Sequence, residues 1–163
     1  MRVSKCALLF AAGLFYLLVV FNNLTDYDSN YQFVHHVLMM DSTFPGNSGM
    51  WRAINGTWMH HALYDSIIGW EMVTTGLAVW GAVRMAAKVR APAAEFNRAK
   101  GMGIAALTLS LLMWLVAFLS VGAEWFLMWQ SKRWNGQEAA GRMFNVLGLL
   151  LIYVAMTDRE GQG

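Results

Sequence analysis

The chain has 163 residues, of which 57% are hydrophobic, 13% aromatic and 13% charged, with a net charge of +2. An ordinary soluble domain carries about 25% charged residues, and 12 basic plus 10 acidic side chains are too few to cover a soluble fold with this much apolar surface. The apolar residues fall in four long blocks, which excludes a disordered chain and a coiled coil. The single cysteine, Cys6, excludes an intrachain disulfide and cysteine-based metal motifs. No dense basic patch points to nucleic acid.

The first block, residues 3–24, follows Arg2 and Lys5. This has the layout of a secretory signal, but Asn22-Asn23-Leu24-Thr25-Asp26 stands where cleavage would need small residues. It reads as a retained helix. Further blocks at 62–83, 101–125 and 139–157 approach the ~20 residues that cross a ~30 Å hydrocarbon core. Backbone groups in lipid must pair internally, and these apolar residues are contiguous instead of alternating. The expected fold class is therefore all-α: a four-helix transmembrane bundle in one domain, 1–163.

The loop 25–61 is too long for a simple connection and too apolar for a free linker. Residues 31–40 read as a short amphipathic helix, with Tyr31, Val34 and Leu38 on one face and Ser29 or Asn30 capping its start. Residues 42–49 are turn-rich, and 50–58 form a second short helix or an aromatic-lined turn. Such segments pack over helix ends, so a lid is expected.

The connector 84–100 holds Arg84, Lys88, Arg90, Arg98 and Lys100. With Arg2, Lys5 and Arg159 that makes eight of the 12 basic residues, against Arg52, Lys132, Arg133 and Arg142 on the other side. The positive-inside rule makes the termini and connector cytoplasmic and turns 25–61 and 126–138 outward. Trp51, Trp58, Trp125, Trp129 and Trp134 fall at the outward boundary, where indoles settle. Trp70 is expected near mid-span and Trp114 in the core. Gly101-Met102-Gly103 opens the third span and suits a close helix contact.

All four histidines, His35, His36, His60 and His61, lie on the outward side. Asp41 follows the first pair, and Asp65 lies one turn after His61. On the second span His60, Tyr64, Ile67 and Glu71 form one stripe, with His61, Asp65, Ile68 and Met72 beside it. At 1.5 Å per residue Glu71 lies about 15 Å below His61, near the mid-membrane. A carboxylate there must face the bundle and be either partnered or protonated. No Lys or Arg lies deep in a span to pair with it, and it serves either packing alone or function.

The histidines with Asp65 are candidate ligands for a transition metal or a haem iron. Their spacing permits this without being diagnostic, and hydrogen bonding to loop carbonyls is the plainer account. Arg52 is the only cation of the first loop, and Asp26, Asp41 or Glu124 is its expected mate.

The stretch from His35 to Pro45, then Trp51-Arg52-Ala53-Ile54, resembles the outer-loop signature of a bacterial family of predicted small integral membrane proteins with four transmembrane helices, whose domain has no assigned function. Residues 22–27, residues 124–131 and Trp134-Asn135-Gly136-Gln137 resemble its other characteristic stretches. The resemblance implies a multi-pass protein of the bacterial inner membrane, and it carries no catalytic residues. Asp26, Asp41, Trp51, Arg52, Tyr64, Glu124, Trp129, Gln130 and Asn135 would then gather with the histidines on an outward cap that binds a ligand or locks the lid.

Three functional readings stand open. The first is an accessory subunit whose outward cap and helix faces bind a larger membrane complex or lipid, with a homo-oligomer as the alternative to a larger complex. The second is a metal- or haem-binding membrane protein. The third is a proton-coupled carrier that uses Glu71, with His60 and Tyr64 as its route outward.

Overall fold

A computed structural model describes residues 1–160. Helix α1 spans Arg2–Thr25 and α2 spans Tyr27–Met39. After a single 3₁₀ turn at Met50–Arg52, α3 runs over Thr57–Ala87. A short α4, Ala93–Ala99, leads into α5, Gly101–Leu112, which continues as a π-helical segment, Met113–Trp125. A second 3₁₀ turn, Met128–Gln130, precedes α6, Gln137–Ala155. Among the described residues, four helices are long and apolar enough to cross a membrane: Arg2–Thr25, Thr57–Ala87, Ala93–Trp125 and Gln137–Ala155.

The spans pack in a ring, α1 on α3, α3 on α5, the third span on α6, and α6 back on α1. Inside lie Leu9, Tyr16, Phe96, Leu107, Met113 and Val154. Outside, Val3, Phe21, Leu149 and Ile152 are 60–70% exposed. Large apolar side chains face outward all round the bundle, the pattern of a protein whose solvent is lipid.

One close helix contact is made by glycine. A Cβ on Gly81 of α3 would lie 2.6 Å from the backbone nitrogen of Gly103 on α5. Gly101 meets nothing within 4 Å, so only Gly103 of the expected pair makes the close contact. Farther along, the Trp70 indole donates to the Leu109 carbonyl at 3.2 Å. Beyond Trp70 the third span takes up its wider π winding, seen also where Ser120 Oγ donates to the Leu115 carbonyl and Phe126 N to the Val121 carbonyl, each five residues back. There the two spans part.

At the end of the bundle that holds the N-terminus, a buried ionic clasp joins the first and third spans to the segment that follows the last one. Lys5 Nζ and Lys100 Nζ both donate to Asp158 Oδ2, at 2.8 and 2.5 Å, and both also bond the Met156 carbonyl. Asn97 holds the Asp158 backbone. The side chains of Lys5, Lys100 and Asp158 are at most 3% exposed. Burial pushes the Asp158 carboxyl up, and the two ammonium groups more than offset it, holding the group below its usual range.

The lid differs in detail from the sequence expectation. Helix α2 starts at Tyr27, with only Asp26 between it and α1, so neither Ser29 nor Asn30 caps it, and Ser29 Oγ instead donates to Asp26 Oδ2. Tyr31, Val37 and Leu38 are its buried residues. The second segment is only the turn at Met50–Arg52, tied down where Ile54 N donates to the Leu38 carbonyl at 2.9 Å.

Candidate functional site

Helix α3 is 31 residues long, about 46 Å at 1.5 Å per residue. Glu71 lies at its middle, 13 residues from Trp58 and 13 from Arg84. The stripe containing it turns inward: His60 is 0%, Tyr64 2% and Glu71 5% exposed. The neighbouring His61 and Asp65 are exposed at the lid end.

Glu71 Oε2 accepts from Asn23 Nδ2 of α1 at 2.7 Å, and Asn23 Oδ1 accepts from Asn30 Nδ2 of α2 at 2.7 Å. Asn23 is buried and Asn30 exposed. A hydrogen-bonded chain thus runs from the buried carboxylate to the lid surface. Asn23, Asn30, Tyr64 and Glu71 line one cavity of about 270 Å³, together with Phe33, Trp114 and Phe118. Every span contributes to its wall, and α2 covers it. No Lys or Arg lines it. The Tyr64 hydroxyl and, one turn below Glu71, the Thr74 hydroxyl are buried without a hydrogen-bond partner among the described residues. The Trp114 indole donates to the Tyr16 hydroxyl at 3.0 Å, which holds that ring as part of the wall.

The histidines divide among three separate contacts. His60 Nε2 lies 2.7 Å from the Ile54 carbonyl, and His35 Nδ1 lies 2.8 Å from His60 Nδ1. A carbonyl only accepts, so in a neutral His60 ring Nε2 carries the hydrogen and Nδ1 receives one from His35. Burial, then the neighbouring His60 and His36, push His35 below its usual range. His36 pairs with Asp41 at 2.6 Å and stacks on Trp134. His61 and Asp65 meet on the Tyr27 hydroxyl, at 3.0 and 2.9 Å, and His61 also stacks on Tyr31. Burial and the bond to Asp65 push the Tyr27 hydroxyl up to about 12. Among the described residues no three His, Cys, Asp or Glu side chains come together as a metal-holding group.

The remaining cap residues are dispersed. Arg52 pairs with none of Asp26, Asp41 or Glu124. Its guanidinium donates to the Trp125 carbonyl at 3.1 Å and lies over the rings of Trp51 and Trp125, where delocalised charge is favoured on aromatic faces. Asp41 is taken by His36, and Asp26 by Ser29; Glu124 is exposed. Gln130 holds the Phe44 backbone, Asn135 Oδ1 accepts from Gln137 N in the turn before α6, and Trp129 packs edge-on against Phe44.

Three functional or structural side chains escape a sequence reading: Asn23, Asn30 and Asp158. Asn23 carries the one available signal, an amide at the end of an apolar block.

The model of a family described as "Predicted small integral membrane protein (DUF2165)" matches residues 1–157. The chain belongs to that family. No curated protein and no solved structure matches it. The family description and the four candidate spans agree on an integral membrane protein, in contact with lipid, and supply no activity.

Proposed function

We propose that this membrane protein is a proton-coupled carrier that binds a small organic cation at Glu71. The supporting observation is a buried acid with no basic partner, in a cavity lined by all four spans and roofed by α2. A lone carboxylate in a membrane interior is stable only with a proton or with a cation brought to it. Phe33, Tyr64, Trp114 and Phe118 give that cation aromatic walls. The Tyr64 hydroxyl supplies an uncommitted hydrogen-bonding group. The excess of basic residues at the terminal end supports an orientation with the termini cytoplasmic and the lid outward, in a bacterial inner membrane.

The experiment is calorimetry of butylammonium binding to the protein in lipid nanodiscs, at several pH values and in buffers of different ionisation enthalpy. Binding should release a proton and tighten as the pH rises. Glu71→Gln keeps an acceptor for Asn23 and so keeps the fold, and it should abolish both binding and proton release. Equal binding by wild type and Glu71→Gln overturns the reading.

A second reading, an accessory subunit, draws on the exposed rim of the lid end, where Trp51 and Trp58 are 72% and 74% exposed. Crosslinking in native membranes tests it: a stoichiometric partner that is lost on Trp51→Ala and Trp58→Ala supports it, and a chain that runs only alone or with itself removes it.

A further inference from the structure

A second cavity lies where α3 and the π segment part. It encloses about 540 Å³, within the roughly 300–1,000 Å³ of small-molecule sites. Leu63, Ile67 and Trp70 form one wall and Val116, Val121 and Trp125 the other. Val37 and Leu38 of α2 with Ile54, Phe126 and Met128 roof it toward the lid end. Its remaining open side lies between the two spans, where Leu63, Val116, Val121 and Trp125 are each 40–48% exposed. By the limits of the spans, that side faces the bilayer just below its lid-end boundary, which Trp125 marks.

This groove adjoins the Glu71 cavity. Phe33, Val34, Ile67 and Phe118 line both, so a few apolar side chains separate an apolar slot open to lipid from the chamber that holds the Glu71 carboxylate. None of these four side chains makes a polar contact that would have to break for them to rotate. Below the groove the spans are closed by the Trp70 bond to Leu109 and by the Gly81–Gly103 contact. An occupant of the groove therefore moves toward the chamber sideways, past those four side chains.

We propose that the ligand of the Glu71 site is a single-chain amphiphile with an ammonium head, which reaches the chamber from the bilayer through this groove. The head pairs with Glu71 beside the Tyr64 hydroxyl, and the alkyl chain occupies the slot between α3 and the π segment. Such a molecule partitions into the bilayer, so its local concentration at the groove exceeds that in water. The inference rests on the Glu71 reading and adds to it the ligand class and the route.

The test compares dodecylammonium with butylammonium, the same head on a long and a short chain, in nanodiscs. A dodecylammonium carrying a terminal diazirine is photolysed, and the labelled residues are mapped. Labels should fall on Leu63, Val116 and Val121. Val121→Trp fills the groove from a partly exposed position outside the Glu71 cavity, with Ala117→Trp as a second blocking variant. Both should weaken dodecylammonium binding about tenfold and leave butylammonium binding within about twofold. If both chain lengths bind the blocked variants as they bind wild type, the groove assignment falls and the Glu71 site stands. If neither probe binds wild type, or Glu71→Gln binds both unchanged, the Glu71 reading falls and takes this one with it.

Discussion

Among the described residues Glu71 has a single side-chain partner, the Asn23 amide at 2.7 Å, so the pair is most sensitive from the Asn23 side. Asn23→Leu leaves a buried carboxyl with no donor, and an unsatisfied buried group costs about 1–3 kcal/mol. Thermal unfolding in mild detergent should show that loss, and Asn23→Gln should recover part of it. Tyr64→Phe separates packing from binding. Its hydroxyl has no partner among the described residues, so stability should stay within about 0.5 kcal/mol, while butylammonium binding should weaken about tenfold. Unchanged binding in Tyr64→Phe would remove the hydroxyl from the site. The inward stripe His60–Tyr64–Ile67–Glu71 was legible from the spacing of α3, because 3.6-residue periodicity alone decides which side chains share a face. The partner of Glu71 was not. Asn23 stands 48 positions away, and only the packing of α1 on α3 brings the two level.

Helix α2 is held to α3 by the His35–His60 contact and by Tyr27 on His61 and Asp65. The groups acting on His35 are His60, His36 and His61, which disfavour its charge, and Asp41, which favours it. Its folded value lies below the ordinary 6.5, so its contribution to docking is fully present above about 6.5 and is lost as the pH falls through the folded value. Amide exchange in α2 should therefore accelerate at mildly acidic pH relative to α1, and His35→Gln should flatten that dependence. An α2 that exchanges at the same relative rate across this range would show that the histidine pair does not hold the lid. The α3–α5 contact is steric instead. Gly81→Val drives a side chain into the Gly103 backbone, and overpacking of this kind costs about 1–3 kcal/mol, readable as a lower unfolding temperature. The spans and a lid could be read from apolar length and loop composition. The π winding could not, because residues 113–125 are as apolar as an ordinary span and their hydrogen-bond register leaves no mark in composition.

The whole bundle is closed at one end by Lys5, Lys100 and Asp158. These two lysines, legible only as part of the excess of positive charge at the terminal end, are in fact buried on one carboxylate. Sequence offered no reason to single out Asp158, an acid beyond the last span whose role depends on two residues 153 and 58 positions earlier. Asp158→Asn strands two buried ammonium groups, and breaking a buried ion pair costs about 3–5 kcal/mol. The variant should unfold at markedly lower temperature, and Asp158→Glu should restore part of the loss. The wild-type clasp, with its carboxyl held below the ordinary 3.8, keeps this contribution above that pH and loses it as acid titrates the group. The clasp also imposes an order of assembly. Because it links Lys5 to a residue 153 positions later, the first helix enters the bilayer during synthesis with its ammonium uncompensated, and the ring cannot lock until the fourth helix has been inserted. A chain stalled or truncated before that point would present a loosely joined three-helix intermediate, a natural mark for membrane quality-control proteases.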